Sequence, residues 1–196
     1  MKKVVVLFSG GVESSTLLYL KLKEGVCVYP VYVREGMSWE HAELFWAKKV
    51  WHHFKESYTN LMPLCVCRGN GVPPRKGELF IPLRNLRLAA SVATYALRRK
   101  AYEINIGSLG AYPFPDNNLP YLKEVEKLLS VGSGQDIKLE APLFGMDKRR
   151  IVELYGPHVP LHLTFSCIKP IRKGNKFFHC GKCVKCLERE EALSRL

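Results

Sequence analysis

The sequence predicts an α/β fold: a doubly wound, mainly parallel five-stranded sheet with a small cysteine-rich module at its carboxyl end. Three observations point there. Short apolar runs without strict alternation recur along the chain, which suits strands covered on both faces. Stretches with helical hydrophobic spacing separate these runs, the alternation that βαβ units produce. Near Pro157 the composition then shifts to cysteine and lysine. The expected organisation is an α/β unit over residues 1–156 and a tail segment over 157–196 packed on it.

The first strand covers residues 3–8, rich in valine, and a helix over 13–23 follows it directly. The second strand, 26–33, leads to a helix over 39–54, where Trp39, Ala42, Trp46, Val50 and Phe54 form one apolar stripe. The third strand is 61–67, and the glycines and prolines of residues 69–77 make a loop with freedom to move. A helix over 85–98 carries Leu86, Ala89, Ala90, Ala93 and Leu97 along one side. The fourth strand is 103–107; Leu122, Val125, Leu128 and Leu129 mark the next helix, and 137–141 the fifth strand. Asp147 is a natural N-cap for a short helix ending near Tyr155. Ligands of such sheets bind at the carboxyl ends of the strands. The loops after residues 8, 33 and 107 are therefore the candidates for function.

The chain has 196 residues, 47% hydrophobic and 24% charged, which excludes disorder and collagen-like repeats. No apolar run reaches the roughly 18 residues a membrane span needs. The apolar stretch at residues 4–8 is too short for a signal-peptide core. The expected location is the cytoplasm, with no membrane partner. Thirty lysines and arginines against 18 acidic residues give a net charge of +12. That surplus suits phosphate-bearing ligands such as nucleotides or tRNA, and equally a solvated basic surface. Seven cysteines in a cytosolic chain read, where clustered, as metal or redox ligands rather than a disulfide framework.

After the first strand comes Phe8-Ser9-Gly10-Gly11-Val12-Glu13-Ser14-Ser15, a tight glycine turn opening a helix. Two glycines let the backbone turn sharply and approach an anion. The helix start offers N–H groups and a partial positive charge, and Ser9, Ser14 and Ser15 add hydroxyls. The turn suits phosphate or pyrophosphate; a purely structural turn is the alternative. It is neither a dinucleotide fingerprint nor a Walker A loop.

In the tail, Cys167 precedes Cys180-Gly181-Lys182-Cys183-Val184-Lys185-Cys186, two overlapping Cys-x-x-Cys steps. Four thiolates suit a tetrahedral Zn²⁺, closed to water and hence structural. An iron–sulfur cluster or a redox pair would use the same residues. His179 reads as a neighbour of the site, and Cys27, Cys65 and Cys67 as small apolar side chains without a metal role.

The glycine turn resembles the PP-loop of the ATP pyrophosphatases, Ser-Gly-Gly-x-Asp-Ser, with Glu13 at the usual Asp. The tail, together with Phe80-Ile81-Pro82-Leu83-Arg84-Asn85 and Glu140-Ala141-Pro142-Leu143-Phe144-Gly145-Met146-Asp147-Lys148, is similar to that of the 7-cyano-7-deazaguanine synthases. The resemblance runs from residue 4 to 189 and is weak over 34–78. It implies an adenine nucleotide alpha hydrolase-like fold with ATP, Mg²⁺ and one Zn²⁺. It also implies conversion of 7-carboxy-7-deazaguanine and ammonia to the nitrile, a precursor of queuosine and archaeosine in tRNA, through an adenylated intermediate. Phe8, Ser9, Gly10, Gly11, Glu13, Ser14 and Ser15 would then hold the nucleotide, with Gly107 and Ser108 lining its crevice. Arg84 and Lys148 would meet phosphate or carboxylate, against readings as a salt bridge and an exposed helix lysine. Asn85 would contact the nucleotide or substrate, or cap its helix. Asp116 would read the deazaguanine edge from an element two residues longer than the family's. Family members often pair, so a homodimer is one expected state, while tRNA is a partner the chemistry does not require.

Two other functions share these features. One is a PP-loop enzyme that adenylates a tRNA base or another small carboxylate or amide. The other is a non-catalytic nucleotide- or RNA-binding zinc protein. The loop after the second strand, Val33-Arg34-Glu35-Gly36-Met37-Ser38, departs from the family's Asp-Tyr-Gly-Gln-Arg-His and leaves the substrate less defined than the ATP chemistry.

Overall fold

The computed structural model describes residues 1–74 and 78–194. Five parallel strands form one sheet in the order β3-β2-β1-β4-β5: β1 Lys3–Leu7, β2 Cys27–Arg34, β3 Cys65–Arg68, β4 Glu103–Asn105 and β5 Lys138–Glu140. Six helices follow the strands or close the chain: α1 Val12–Lys23, α2 Glu40–Ser57, α3 Arg84–Arg99, α4 Leu119–Ser133, α5 Lys148–Tyr155 and α6 Val184–Leu193. The α/β class and the parallel sheet are those the sequence predicts. Residues 69–74 carry no helix or strand, and 75–77 of that expected loop lie outside the described residues.

The unalternated strands are explained by burial on both sides. Along β1, Val4 and Val6, then Phe8, enter one core with Leu17 and Leu18 of α1, Val50 of α2 and Ile151 of α5. Val5 and Leu7 enter the other with Ala89, Val92 and Ala96 of α3 and Val125 of α4. Two apolar faces on one strand leave no polar position, so alternation vanishes. Val159 and Ala192 of the tail sit in the first of these cores.

Strand order reverses between β1 and β4, the switch point outside whose carboxyl ends doubly wound sheets bind ligands. β1 and β4 are paired Val4 to Glu103 and Val6 to Asn105, which brings the turns after both strands side by side. Asp147 caps α5 as expected, its Oδ1 accepting from the Arg149 N–H at 2.7 Å. Two tail elements go beyond the sequence reading: the helix α6 and an antiparallel hairpin of β6 Ile171–Lys173 and β7 Lys176–Phe178. Among the described residues, no helix is long and apolar enough to cross a membrane.

Candidate functional site

The turn after β1 is shaped by steric necessity. Gly10 has φ +78°, and a Cβ there would stand 2.6 Å from the Cα of Ala47. The Ser14 hydroxyl accepts from the Gly10 N–H at 3.1 Å and the Ser9 N–H at 3.3 Å. The Ser9 hydroxyl lies 3.2 Å from it and accepts from the Gly11 N–H at 3.3 Å. These serines brace the turn from within. Gly11 is the N-cap of α1 and supplies no side-chain hydrogen bond, so the helix presents its amino end without a cap. From the tail, the Phe165 N–H donates to the Gly10 carbonyl at 3.0 Å.

This amino end opens into a cleft of about 870 Å³. Phe8, Ser9, Gly11, Glu13 and Ser14 line it, as do Arg84, Asn85, Gly107, Ser108, Asp116 and Lys148. Gly107 comes close to the turn: a Cβ there would lie 3.2 Å from the Ser14 nitrogen, a tight contact that would make the neighbour give by a few tenths of an ångström. Of the sequence candidates, Gly10 and Ser15 do not line the cleft. Ser15 is fully buried beneath the turn, and its hydroxyl has no hydrogen-bond partner among the described residues.

Several charged groups in the cleft are paired with one another. Lys148 Nζ stands 2.9 Å from Glu13 and 3.5 Å from Glu188 of α6. Glu188 also meets Lys185 at 3.1 Å and accepts from the Tyr112 hydroxyl. Burial works against the Glu188 carboxylate, but the hydrogen bonds from Tyr112 and Lys185 outweigh it and hold its pKa below the usual value. Burial and then Glu188 push the Tyr112 hydroxyl up to about 12. The rings of Tyr112 and Phe114 stack at 5.1 Å, and Phe80 continues the row at 5.1 Å. Arg84 projects from the start of α3, and its Nε donates to the buried Glu35 at 3.0 Å. Arg87 holds the other Glu35 oxygen at 3.1 Å.

Asn85 and Asp116 are joined to each other. The Asp116 carboxylate accepts the Asn85 backbone N–H at 3.2 Å, and the Asn85 amide donates to the Asp116 carbonyl at 2.7 Å. Asp116 thus caps α3 from a distant loop, a task that Leu83, with φ +58°, does not perform. Removing it in Asp116→Ala is expected to lower stability by about 1–2 kcal/mol, measured by urea unfolding. An unchanged midpoint would contradict the capping role.

Sequence reasoning missed Glu35, Arg87, Lys185, Glu188 and the pair Tyr32–Glu43, whose hydroxyl–carboxylate contact of 2.6 Å lies at the cleft wall. Burial holds the Glu43 carboxyl above its ordinary pKa. No motif marks these residues. The one available signal was four acids, Glu35, Glu40, Glu43 and Glu188, at positions next to predicted cleft loops or the cysteine run.

The sulfurs of Cys167, Cys180, Cys183 and Cys186 all lie within 4.8 Å of one another. Individual separations are 3.9 Å for Cys180–Cys186 and Cys167–Cys183, and 3.5 Å for Cys183–Cys186. A tetrahedral ion with metal–sulfur bonds of about 2.3 Å has edges of about 3.8 Å, so the set fits a metal. Burial opposes the Cys180 thiolate, but backbone N–H groups of Lys182 and Cys183 prevail and bring its pKa down to about 6. His179 is not part of the cluster; its Nε2 accepts from the Ser166 N–H at 3.3 Å.

The family model described as "Queuosine biosynthesis protein QueC" matches residues 3–196. The 7-cyano-7-deazaguanine synthase 1 of Desulfitobacterium hafniense is 30% identical, over 97% of this chain and 91% of its own length. The 7-cyano-7-deazaguanine synthase of Leptospira interrogans is 32% identical, over 96% of this chain and 85% of its own. Among solved structures, the U34-tRNA thiolase NcsA from Methanococcus maripaludis, determined with its 4Fe–4S cluster, superposes with a TM-score of 0.55 over 97% of this chain and 63% of that one. It is 12% identical, and the likeness is one of fold. A family match across nearly every residue, joined to relatives this similar over almost their whole lengths, makes the chain a member of the queuosine biosynthesis protein QueC family.

Proposed function

We propose that this chain is an ATP-dependent synthase that turns 7-carboxy-7-deazaguanine and ammonia into 7-cyano-7-deazaguanine. The observation that carries the reading is the convergence of the uncapped α1 start, Arg84 and Lys148 on one cleft at the strand-order switch point. That is where a polyphosphate and an activated carboxylate would need fixed positive groups. Membership of the QueC family supports the substrate.

In this mechanism the substrate carboxylate attacks the α-phosphorus of ATP. The α–β bond breaks, and pyrophosphate leaves against the Ser9–Gly11 turn. Ammonia displaces AMP to give the amide. The amide oxygen is adenylated by a second ATP, with pyrophosphate again leaving. Loss of AMP and protons leaves the nitrile. The protein supplies position and charge rather than a nucleophile. Lys148 would exchange Glu13 for phosphate, and Arg84, steadied by Glu35, would hold an oxyanion with its outer nitrogens. Glu13 is the carboxylate beside the turn that would hold Mg²⁺, which supplies charge neutralisation to the phosphates. Asp116 and the row Tyr112–Phe114–Phe80 would receive the planar base. The four cysteines would hold Zn²⁺, which closes the tail and leaves no position for substrate.

The test is pyrophosphate release from ATP with 7-carboxy-7-deazaguanine and ammonia together. No release above background overturns the reading. Lys148→Met is expected to cut that release by about 10²–10³-fold. A loss below threefold would return Lys148 to the role of a helix lysine. Elemental analysis should find zinc, and iron with visible absorbance would replace the zinc assignment.

A further inference from the structure

Between Glu153 and Glu188 the chain has no acidic residue and six lysines or arginines. Lys169, Arg172, Lys173 and Lys176 fall in or beside the hairpin β6–β7, whose two strands, among the described residues, pair only with each other. An isolated two-stranded ribbon is marginal in water. This one is fastened from behind: the Trp46 indole of α2 donates to the Phe177 carbonyl at 2.9 Å, and Phe45 meets Phe177 edge-on at 5.6 Å.

The outer face combines charge with bare apolar groups. Ile171 and Phe178 are 44% and 43% exposed. Lys173 and Lys176 stand exposed on the same face, and Arg172, exposed too, projects from the opposite face beside Phe177, toward α2. Lys173 lies 5.9 Å from the Phe178 ring, and Arg172 lies 6.0 Å from that of Phe177. On adjoining α2, Lys49 is 4.9 Å from both the Phe45 and Trp46 rings, and Lys48 is exposed beside it. None of these residues lines the cleft.

Clustered cations without acids repel one another, and an exposed ring gains by being covered. One kind of ligand answers both: a polyanion carrying planar apolar faces. A duplex hides its base faces, whereas a single strand offers them between its phosphates. Two apolar side chains are a small foothold for a lipid surface. At the hairpin tip, the exposed Asn175 adds an amide able to pair with a ribose hydroxyl. We propose that the β6–β7 hairpin and the adjoining face of α2 form a docking surface for single-stranded RNA, with Phe178 as the stacking platform. The proposal stands apart from the cleft, so loss of RNA binding and loss of pyrophosphate release are separate results.

The test is anisotropy of a short fluorescein-labelled single-stranded RNA titrated with the full, metal-loaded chain over a range of potassium chloride. Affinity should fall as salt rises. The triple variant Arg172→Ala, Lys173→Ala, Lys176→Ala should flatten the log–log salt slope by about two, at about 0.7 per phosphate contact. Phe178→Ala should weaken binding about tenfold with the slope unchanged, as removal of a stacking ring does. Lys100→Ala with Lys138→Ala, near the amino ends of the strands, should change neither. Unaltered melting temperature and metal content in every variant show that the fold is intact. The proposal is overturned if RNA fails to bind at low salt, or if the control pair loses as much as the hairpin variants. Tighter binding of the same sequence as DNA, or hairpin-dependent binding of phosphatidylserine vesicles without binding of RNA, overturns it as well.

Discussion

Cys183→Ser is expected to release the metal and to destabilise the protein by about 4–5 kcal/mol, seen as a large fall in melting temperature with metal absent by elemental analysis. Cys183 is buried at the centre of the cluster and is also the N-cap residue of α6. A serine hydroxyl is a poor ligand for a thiophilic ion, and three remaining thiols would crowd a site with no charge at its middle. Where ligand binding exists only in the folded state, its free energy belongs to folding. The damage should travel: α6 carries Lys185 and Glu188 into the cleft, so pyrophosphate release should fall with the metal. Cys65→Ser is the contrast. That half-buried thiol, 3.6 Å from Cys67 on the edge strand, lies outside the four-cysteine cluster, and its loss should cost under about 1 kcal/mol. A Cys183→Ser protein that keeps its metal and melts like the parent would remove the four-cysteine site.

Gly10→Ala should cost about 2–5 kcal/mol, the sum of left-handed strain and overpacking against backbone. Its φ of +78° already disfavours any side chain, and the added methyl would meet Ala47 at its Cα, which has no flexible end to swing away. Gly25→Ala isolates the first contribution: φ is +74° there, with nothing within 4 Å of the added carbon. It should cost only about 1–2 kcal/mol. Denaturant midpoints compare the two. Under the proposed mechanism, Gly10→Ala also ends pyrophosphate release while Gly25→Ala retains it. Equal midpoints would show that the contact with Ala47 relaxes freely.

The middle of the sheet was legible because β1 and β2 are short, valine-rich and buried on both sides, which leaves a signature in composition alone. Expected 3–8 became Lys3–Leu7, and expected 26–33 became Cys27–Arg34. The third strand shortened to Cys65–Arg68, because Leu61 makes only an isolated bridge with Val28 and Pro63 interrupts the ladder's supply of donors. The hairpin and α6 escaped because the cysteines dominate that stretch and its apolar residues follow no helical stripe: Phe177 turns to α2, Ile171 and Phe178 stand exposed, and Ala192 enters the first core. The cleft was legible where chain-local chemistry declares itself, as in the glycine turn. It was opaque where partners are far apart in sequence. Glu35 reaches Arg84 across 49 positions, and Tyr112 reaches Glu188 across 76. Asn85 had been open between capping and contact; the structure gives the cap to Asp116 and makes Asn85 the residue that ties Asp116 down.

The hydrogen bond from Phe165 to the Gly10 carbonyl makes the last fifth of the chain a buckle on its first turn. Recombination between relatives with a crossover near residue 157 would unite a buckle and a strap that had drifted apart in separate lineages. Such hybrids should misalign the turn even when each half is sound. Changes in chain length are better absorbed around 69–74, where no strand or helix would have to shift its register.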